Sequence, residues 1–255
     1  WIDVYENQGK KSGAYSWGAY GTHPYVLLNY EENLGSVFTL AHEMGHALHS
    51  WYSDANQPYI YAGYKIFVAE VASTCNEALL IHHLIRTAEG PKQKAYLINY
   101  FLEQFRTTLF RQTMFAEFEK ITHGMQEQGE ALTADRLCGI YHGLNREYFG
   151  ENICVDREIG LEWARIPHFY TPFYVYQYAT GFSAAIALSK RILEEGETAV
   201  EQYKNFLKGG SSAYPLDLLR MAGVDMEQRE PVEDALKVFT QYLDEMERLA
   251  GNDEI

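Results

Sequence analysis

Between Ser36 and Ser53 the apolar residues Val37, Leu40, Ala41, Met44, Ala47 and Leu48 recur at helical spacing. This predicts a helix over about 36–53, the least ambiguous element in the chain. Within it lies His42-Glu43-Met44-Gly45-His46. Residues four apart in a helix share a face, about one turn from each other. Two imidazoles placed that way can share one tetrahedral cation at about 2.0–2.1 Å. Glu43 sits one step around the helix from His42, so it can flank the ion without ligating it and accept a proton from water. Zinc lowers the pKa of such a water to about 7, so a single weak base suffices. The pentapeptide alone also arises by chance. Here its weight comes from the helical setting, the apolar back face and Gly45 at a tight spot.

A catalytic zinc keeps three protein ligands and one open position. His49 shares the face of His42 and His46, but seven residues of rise place it about 10 Å from His42, too far for one ion. It reads as a supporting or structural histidine. A third histidine six residues after the second is excluded, because position 52 is Tyr. Glu70, 24 residues after His46, is the better third ligand. It lies on a predicted helix of about 66–88, where Glu70, Ser73, Thr74 and Glu77 form a polar stripe beside apolar Phe67, Val68, Val71, Leu79 and Leu80. A polar stripe on an otherwise buried helix needs an ionic partner. Glu77 is too far along to reach the same ion but can hold a ligand imidazole from behind.

The rest of the pattern is mostly helical. Residues 1–30 are rich in Gly, Tyr and Ser and read as turns and short strands. Pro24-Tyr-Val-Leu-Leu-Asn-Tyr30 is the clearest strand. Further helices are predicted over about 91–127, 133–148, 172–195, 197–208, 214–222 and 231–250, with 150–170 irregular. The fold class is therefore mostly α-helical with a small β element near the N-terminus. His82, His83, His123 and His142 read as ordinary surface or core histidines.

The formal net charge is −14 and no basic block occurs. This argues against nucleic acid, which needs a Lys/Arg footprint, and against attraction to anionic lipid. No apolar run approaches the ~20 residues needed to span a bilayer. Cys75, Cys138 and Cys154 are odd in number and widely spaced, which fits a reducing, cytoplasmic compartment better than a disulfide framework. Trp1 is no initiator, so the chain reads as a piece of a longer protein.

Four stretches together carry a family resemblance: Pro24 to Tyr30, Thr39-Leu-Ala-His-Glu-Met-Gly-His-Ala-Leu-His49, Phe67-Val-Ala-Glu-Val-Ala-Ser73, and Arg165-Ile-Pro-His-Phe-Tyr170 leading into Phe173-Tyr-Val-Tyr-Gln-Tyr178. The chain resembles the thimet oligopeptidase and oligoendopeptidase F family of zinc peptidases, most closely the oligoendopeptidase F branch. The resemblance implies a zincin-like catalytic domain over 1–255, the C-terminal half of a two-lobed helical clam of roughly twice this length. It implies one Zn2+ held by His42, His46 and Glu70, with Glu43 as the base. It further implies a downstream histidine, matched by His168, and tyrosines that bind the substrate carbonyl and the oxyanion. Tyr174 and Tyr178, four apart on a predicted helix, suit the tyrosine role better than Tyr170 or Tyr176.

The expected activity is hydrolysis of internal bonds in short peptides, with the substrate extended and adding to the 24–30 strand. The absent N-terminal lobe is expected to pack on this domain and to limit substrate length. Exopeptidase action on the same zinc, a non-catalytic peptide-binding module and a helical structural protein with a chance motif are the rival readings.

Overall fold

A computed structural model describes residues 1–251. Three short strands come first: β1 (Ile2–Asp3), β2 (Tyr15–Trp17) and β3 (Tyr25–Leu27). Helices α1 (Leu34–Asn56), α2 (Tyr59–Ala62), α3 (Ile66–Arg86), α4 (Pro91–Gln104), α5 (Arg111–Glu127) and α6 (Ala134–Phe149) follow. After two 3-10 turns, Arg157–Arg165 and Pro167–Tyr170, the chain continues as α7 (Tyr176–Glu195), α8 (Glu197–Leu207), α9 (Pro215–Met221) and α10 (Glu230–Gly251). The mostly helical reading with a small N-terminal β element holds.

The chain forms two compact units. One comprises Trp1–Leu102 with the chain from Gly181 onward, and the other comprises Glu103–Thr180.

In the first unit β3 is the central strand, parallel to β1 and antiparallel to β2. Val26 and Leu28 point from it onto Leu40, Met44 and Ala47 of α1. The apolar back of the His-containing helix is thus the floor on which the sheet rests. Because β3 is paired on both sides, it has no free edge for a peptide. The expectation that a substrate adds to the 24–30 strand is therefore corrected: β1 and β2 are the outer strands, and β3 is made central by its pairing with β1, a segment distant in the chain.

Helix α1 starts at Leu34, two residues before the expected position. Asn33 caps it, its Oδ1 accepting the Ser36 N–H at 2.9 Å, while Ser36 Oγ accepts the Glu31 N–H at 3.0 Å. The first bond satisfies a donor that the helix start leaves open, and the second ties the preceding chain to the first turn.

Helices α1 and α3 meet backbone to backbone. A Cβ at Gly45 would lie 2.5 Å from Ser73 Cα and 2.8 Å from the Ala72 carbonyl oxygen. Only hydrogen fits there. Asn76 Nδ2 donates to the Ala41 carbonyl at 2.6 Å, a second tie between the two helices. Behind α3 lies the main core: Val68, Val71, Ala72 and Cys75 with Ala184, Ala185 and Leu188 of α7, Phe206 and Leu207 of α8, and Leu218 and Leu219 of α9.

In the second unit, Met114, Phe115 and Phe118 of α5 pack with Tyr141 and Leu144 of α6, Ile166 and Val175. Glu162 is buried there. It accepts hydrogen bonds from Arg111 and the Tyr141 hydroxyl, each at 2.7 Å, and pairs with Arg165.

Two further expectations change. The predicted single helix of 91–127 contains a wider π-helical turn, Phe105–Phe110, which shifts the phase of the buried stripe. The expected helix of 172–195 begins only at Tyr176. Pro172 restricts Thr171, and Phe173 takes a left-handed conformation with φ 57°, which no helix accommodates. Tyr174 therefore precedes α7 instead of sharing it with Tyr178.

Gly45→Ala should force α1 and α3 apart. Overpacking a tight contact costs about 1–3 kcal/mol, so the expected result is a lowered thermal midpoint together with weakened metal uptake. A variant that melts and loads like the parent would show that the contact is not required.

Candidate metal centre

His42 and His46 project from one face of α1 toward Glu70 of α3. His42 Nε2 lies 3.2 Å from His46 Nε2 and 3.4 Å from Glu70 Oε2, and His46 Nε2 lies 3.7 Å from the same oxygen. Ligands at about 2.0–2.1 Å from a tetrahedral ion stand roughly 3.3–3.4 Å from one another. The three donors therefore fit a single cation without rearrangement, and among the described residues they are the group that could hold one. Two imidazoles and one carboxylate are also a donor set suited to zinc.

The carboxylates around His42 set its charge. Burial works to lower its pKa, but Glu70 and Glu77 outweigh it and push it up to about 10. Glu77 Oε1 sits 3.4 Å from His42 Nδ1, the nitrogen facing away from Glu70. This is the backing position expected for Glu77, and it fixes the ring so that Nε2 faces the cluster. His46 is driven the other way, by burial and by the charge on His42, with Glu70 opposing. Glu70 is held below the usual carboxylate range, first by its hydrogen bond with His42, against the effect of burial. Ser73 Oγ donates to the Glu70 carbonyl at 3.0 Å and reaches its Oε2 at 3.4 Å.

Glu43 is 6% exposed, and its Oε2 has no hydrogen-bond partner. Burial raises its pKa, with His42 pulling down and Glu70 pushing up. A backbone N–H at Ser16 of β2 donates to the carboxylate. This contact from the outer strand is absent from any local sequence pattern. A buried carboxylate with a raised pKa and one free oxygen is poised to exchange a proton.

His49 is not a ligand. It is 1% exposed, stacked on Tyr64 with centroids 3.7 Å apart, and both ring nitrogens lack partners. Tyr64 in turn lies 2.9 Å from Ser50 Oγ. The supporting role of Tyr64 carries no signal in the sequence.

The other expected residues lie in the second unit. His168 sits on the 3-10 turn Pro167–Tyr170. The Tyr178 hydroxyl is 3.3 Å from His168 Nε2. The Tyr174 ring stacks on His168 at 5.8 Å and meets Tyr178 edge-on at 5.5 Å. These three therefore cluster although Tyr174 lies outside the helix. Tyr170 is 87% exposed.

A helical chain with two imidazoles and a carboxylate converging from crossed helices, beside a second, buried carboxylate, has the layout of a mononuclear metallohydrolase. The comparisons narrow that class: the Peptidase family M3 model matches residues 1–238, and the chain belongs to that family. It is 58% identical over 249 residues to Oligopeptidase PepF of Bacillus subtilis, covering 98% of this chain and 37% of that protein. It is 48% identical to the chromosomal oligoendopeptidase F of Lactococcus lactis, covering 98% of this chain and 41% of that protein. The solved oligoendopeptidase-F from Enterococcus faecium superposes with a TM-score of 0.78 at 45% identity, over 86% of this chain and 40% of that one. A solved structure from Chlamydophila abortus gives 0.91 at 44% identity, over 98% and 42%. The expected resemblance is borne out, and the chain spans about two fifths of the length of these relatives.

The burial of His49 predicts an acid sensitivity. Its pKa falls to about 3 in the folded chain, through burial first and the neighbouring His46 second. Above pH 6.5 it is neutral in both folded and unfolded states. As pH drops from 6.5 toward 3, only the unfolded chain binds the proton, so stability declines by roughly 1.4 kcal/mol per pH unit. His49→Phe should flatten that slope in denaturant titrations at several pH values. An unchanged slope would contradict the assignment.

Proposed function

We propose that the chain is the catalytic part of a zinc endopeptidase that hydrolyses internal bonds of short peptides. The observation that carries this reading is the spacing of 3.2, 3.4 and 3.7 Å among His42, His46 and Glu70 beside the buried Glu43. In this reading His42, His46 and Glu70 hold one zinc ion, with Glu77 orienting His42. When bound, the ion supplies Lewis acidity that polarises a peptide carbonyl and brings the pKa of a water near 7. Glu43 takes the proton that the attacking water releases and delivers it to the leaving amine nitrogen. Its raised pKa suits both halves of that transfer. His168 and Tyr178, with Tyr174 against them, donate hydrogen bonds to the oxyanion as it develops.

The substrate would lie extended. β2 is one of the two outer strands of the sheet, and its Ser16 already touches Glu43. Backbone pairing there would hold a peptide largely irrespective of its side chains. The chain spans about two fifths of the length of these relatives, and in this reading a further lobe packs on this part and restricts substrates to short peptides. The three cysteines are unpaired, which supports a cytoplasmic location. No helix among the described residues is long and apolar enough to cross a membrane.

Glu43→Gln should retain the metal and lower kcat by about a hundredfold or more. Near-parental turnover would remove Glu43 from the base role. Glu70→Ala should abolish stoichiometric zinc, and unchanged zinc content would point to another ligand. A quenched fluorescent peptide blocked at both ends should be cut internally and stop being cut with chelator. Trimming restricted to unblocked ends would replace the endopeptidase reading with an exopeptidase.

A further inference from the structure

The second unit contains a buried carboxylate that the proposed mechanism does not use. Glu119 lies on α5, four residues after Phe115 and next to Phe118, and is 3% exposed on the face packed into the core. A carboxylate in such a place is costly unless its oxygens are hydrogen-bonded. Its Oε1 accepts the backbone N–H of Phe173 at 2.6 Å.

Phe173 is the one non-glycine residue at positive φ among the described residues. Residues with a side chain avoid this region because Cβ crowds the following carbonyl. Strain of this kind persists only where the surroundings over-determine it. The Phe173 ring does not supply that constraint: it is 53% exposed and lies 4.6 Å from the His123 ring. The bond from its amide to a buried acceptor does.

The turn Thr171-Pro172-Phe173 joins the 3-10 turn bearing His168 to the start of α7. It sends the chain back so that Tyr174 stacks on His168 and the Tyr178 hydroxyl comes within 3.3 Å of His168 Nε2. A relaxed Phe173 would redirect the chain at the residue immediately before Tyr174.

We propose that Glu119 is a positioning residue: by accepting the Phe173 amide proton it holds this turn in its left-handed conformation and thereby sets the His168–Tyr174–Tyr178 cluster. The proposal rests on the reading above, in which that cluster donates to the oxyanion. Glu119 itself touches neither substrate nor metal. It acts through the backbone.

The test is steady-state kinetics of the full-length protein on a quenched fluorescent peptide, with zinc content and thermal midpoint measured alongside. Misplacing catalytic donors by about 1 Å costs up to roughly a hundredfold in rate. Glu119→Ala and Glu119→Asp, the latter keeping the charge but falling short of the amide, should each lower kcat about tenfold or more, with KM and zinc content close to parental. Glu119→Gln keeps an acceptor oxygen in reach and should stay near parental. Adding Phe173→Gly to Glu119→Ala should restore much of the lost kcat, because glycine enters the left-handed region without penalty. Should Glu119→Ala not fold, Glu119→Asp with and without Phe173→Gly makes the same comparison.

Parental kcat in Glu119→Ala and Glu119→Asp, alongside a loss in Tyr178→Phe, would overturn the positioning role while leaving the oxyanion assignment intact. A kcat loss that Phe173→Gly does not relieve, accompanied by a lower midpoint, would reduce Glu119 to a fold-stabilising residue and overturn the proposal. Parental kcat in both Tyr178→Phe and His168→Ala would overturn the oxyanion assignment itself, and this proposal with it.

Discussion

The crossing of α1 over α3 at Gly45 is the constraint on which the candidate centre depends. With no Cβ at that position, the backbone of α1 rests directly on Ser73. Glu70 then stands one turn of α3 before the crossing, and His42 and His46 stand on either side of it along α1. A larger residue would move one helix outward by the thickness of a methyl group, and the 3.2–3.7 Å spacing among the donors would be lost. The sheet behind α1 and the large core behind α3 press the two helices together from opposite sides. The packing of the first unit is in this sense the device that fixes the donors.

Charge is arranged around that contact with equal economy. Three carboxylates, Glu43, Glu70 and Glu77, surround two imidazoles in partly buried surroundings. Burial by itself favours the neutral forms of Glu43, Glu70, His42 and His46. Instead, proximity divides the roles. Glu70 is drawn into the charged form by His42, while Glu43, with one oxygen unpartnered, is pushed toward the neutral form. Two glutamates within reach of the same histidine thus differ in acidity, because the hydrogen bond with His42 holds Glu70 down while burial raises Glu43. That difference is what lets one serve as a ligand and the other as a proton carrier in the proposed chemistry.

Much of this was legible in the sequence, for physical reasons that can be named. The period of Val37, Leu40, Met44 and Ala47 identified α1 and the face that carries His42 and His46, because helical spacing is a local property. Glu70 and Glu77 stood out because polar residues on a buried helix must be answered by partners. The start of α1 lies two residues earlier than apolar periodicity places it, because Asn33 caps the helix ahead of its first periodic residue. Tyr174 falls outside α7 because Phe173 takes a left-handed φ that nothing about a phenylalanine announces, although Pro172 marks a break beside it. The pairing of β1 with β3 and the contact between Ser16 and Glu43 join segments far apart in the chain, and no strand- or helix-length window contains both partners. Glu119 did leave a trace, since it falls on the apolar stripe of its helix, but its partner 54 residues away did not.

The most direct test of the central claim is the position of a metal ion in crystals of the zinc-loaded protein, located by anomalous scattering at the zinc edge. The account predicts one strong peak per chain, about 2.0–2.1 Å from His42 Nε2, His46 Nε2 and a Glu70 oxygen, with Glu43 nearby but not bound. A peak elsewhere, or one that lacks Glu70 as a neighbour, would contradict it.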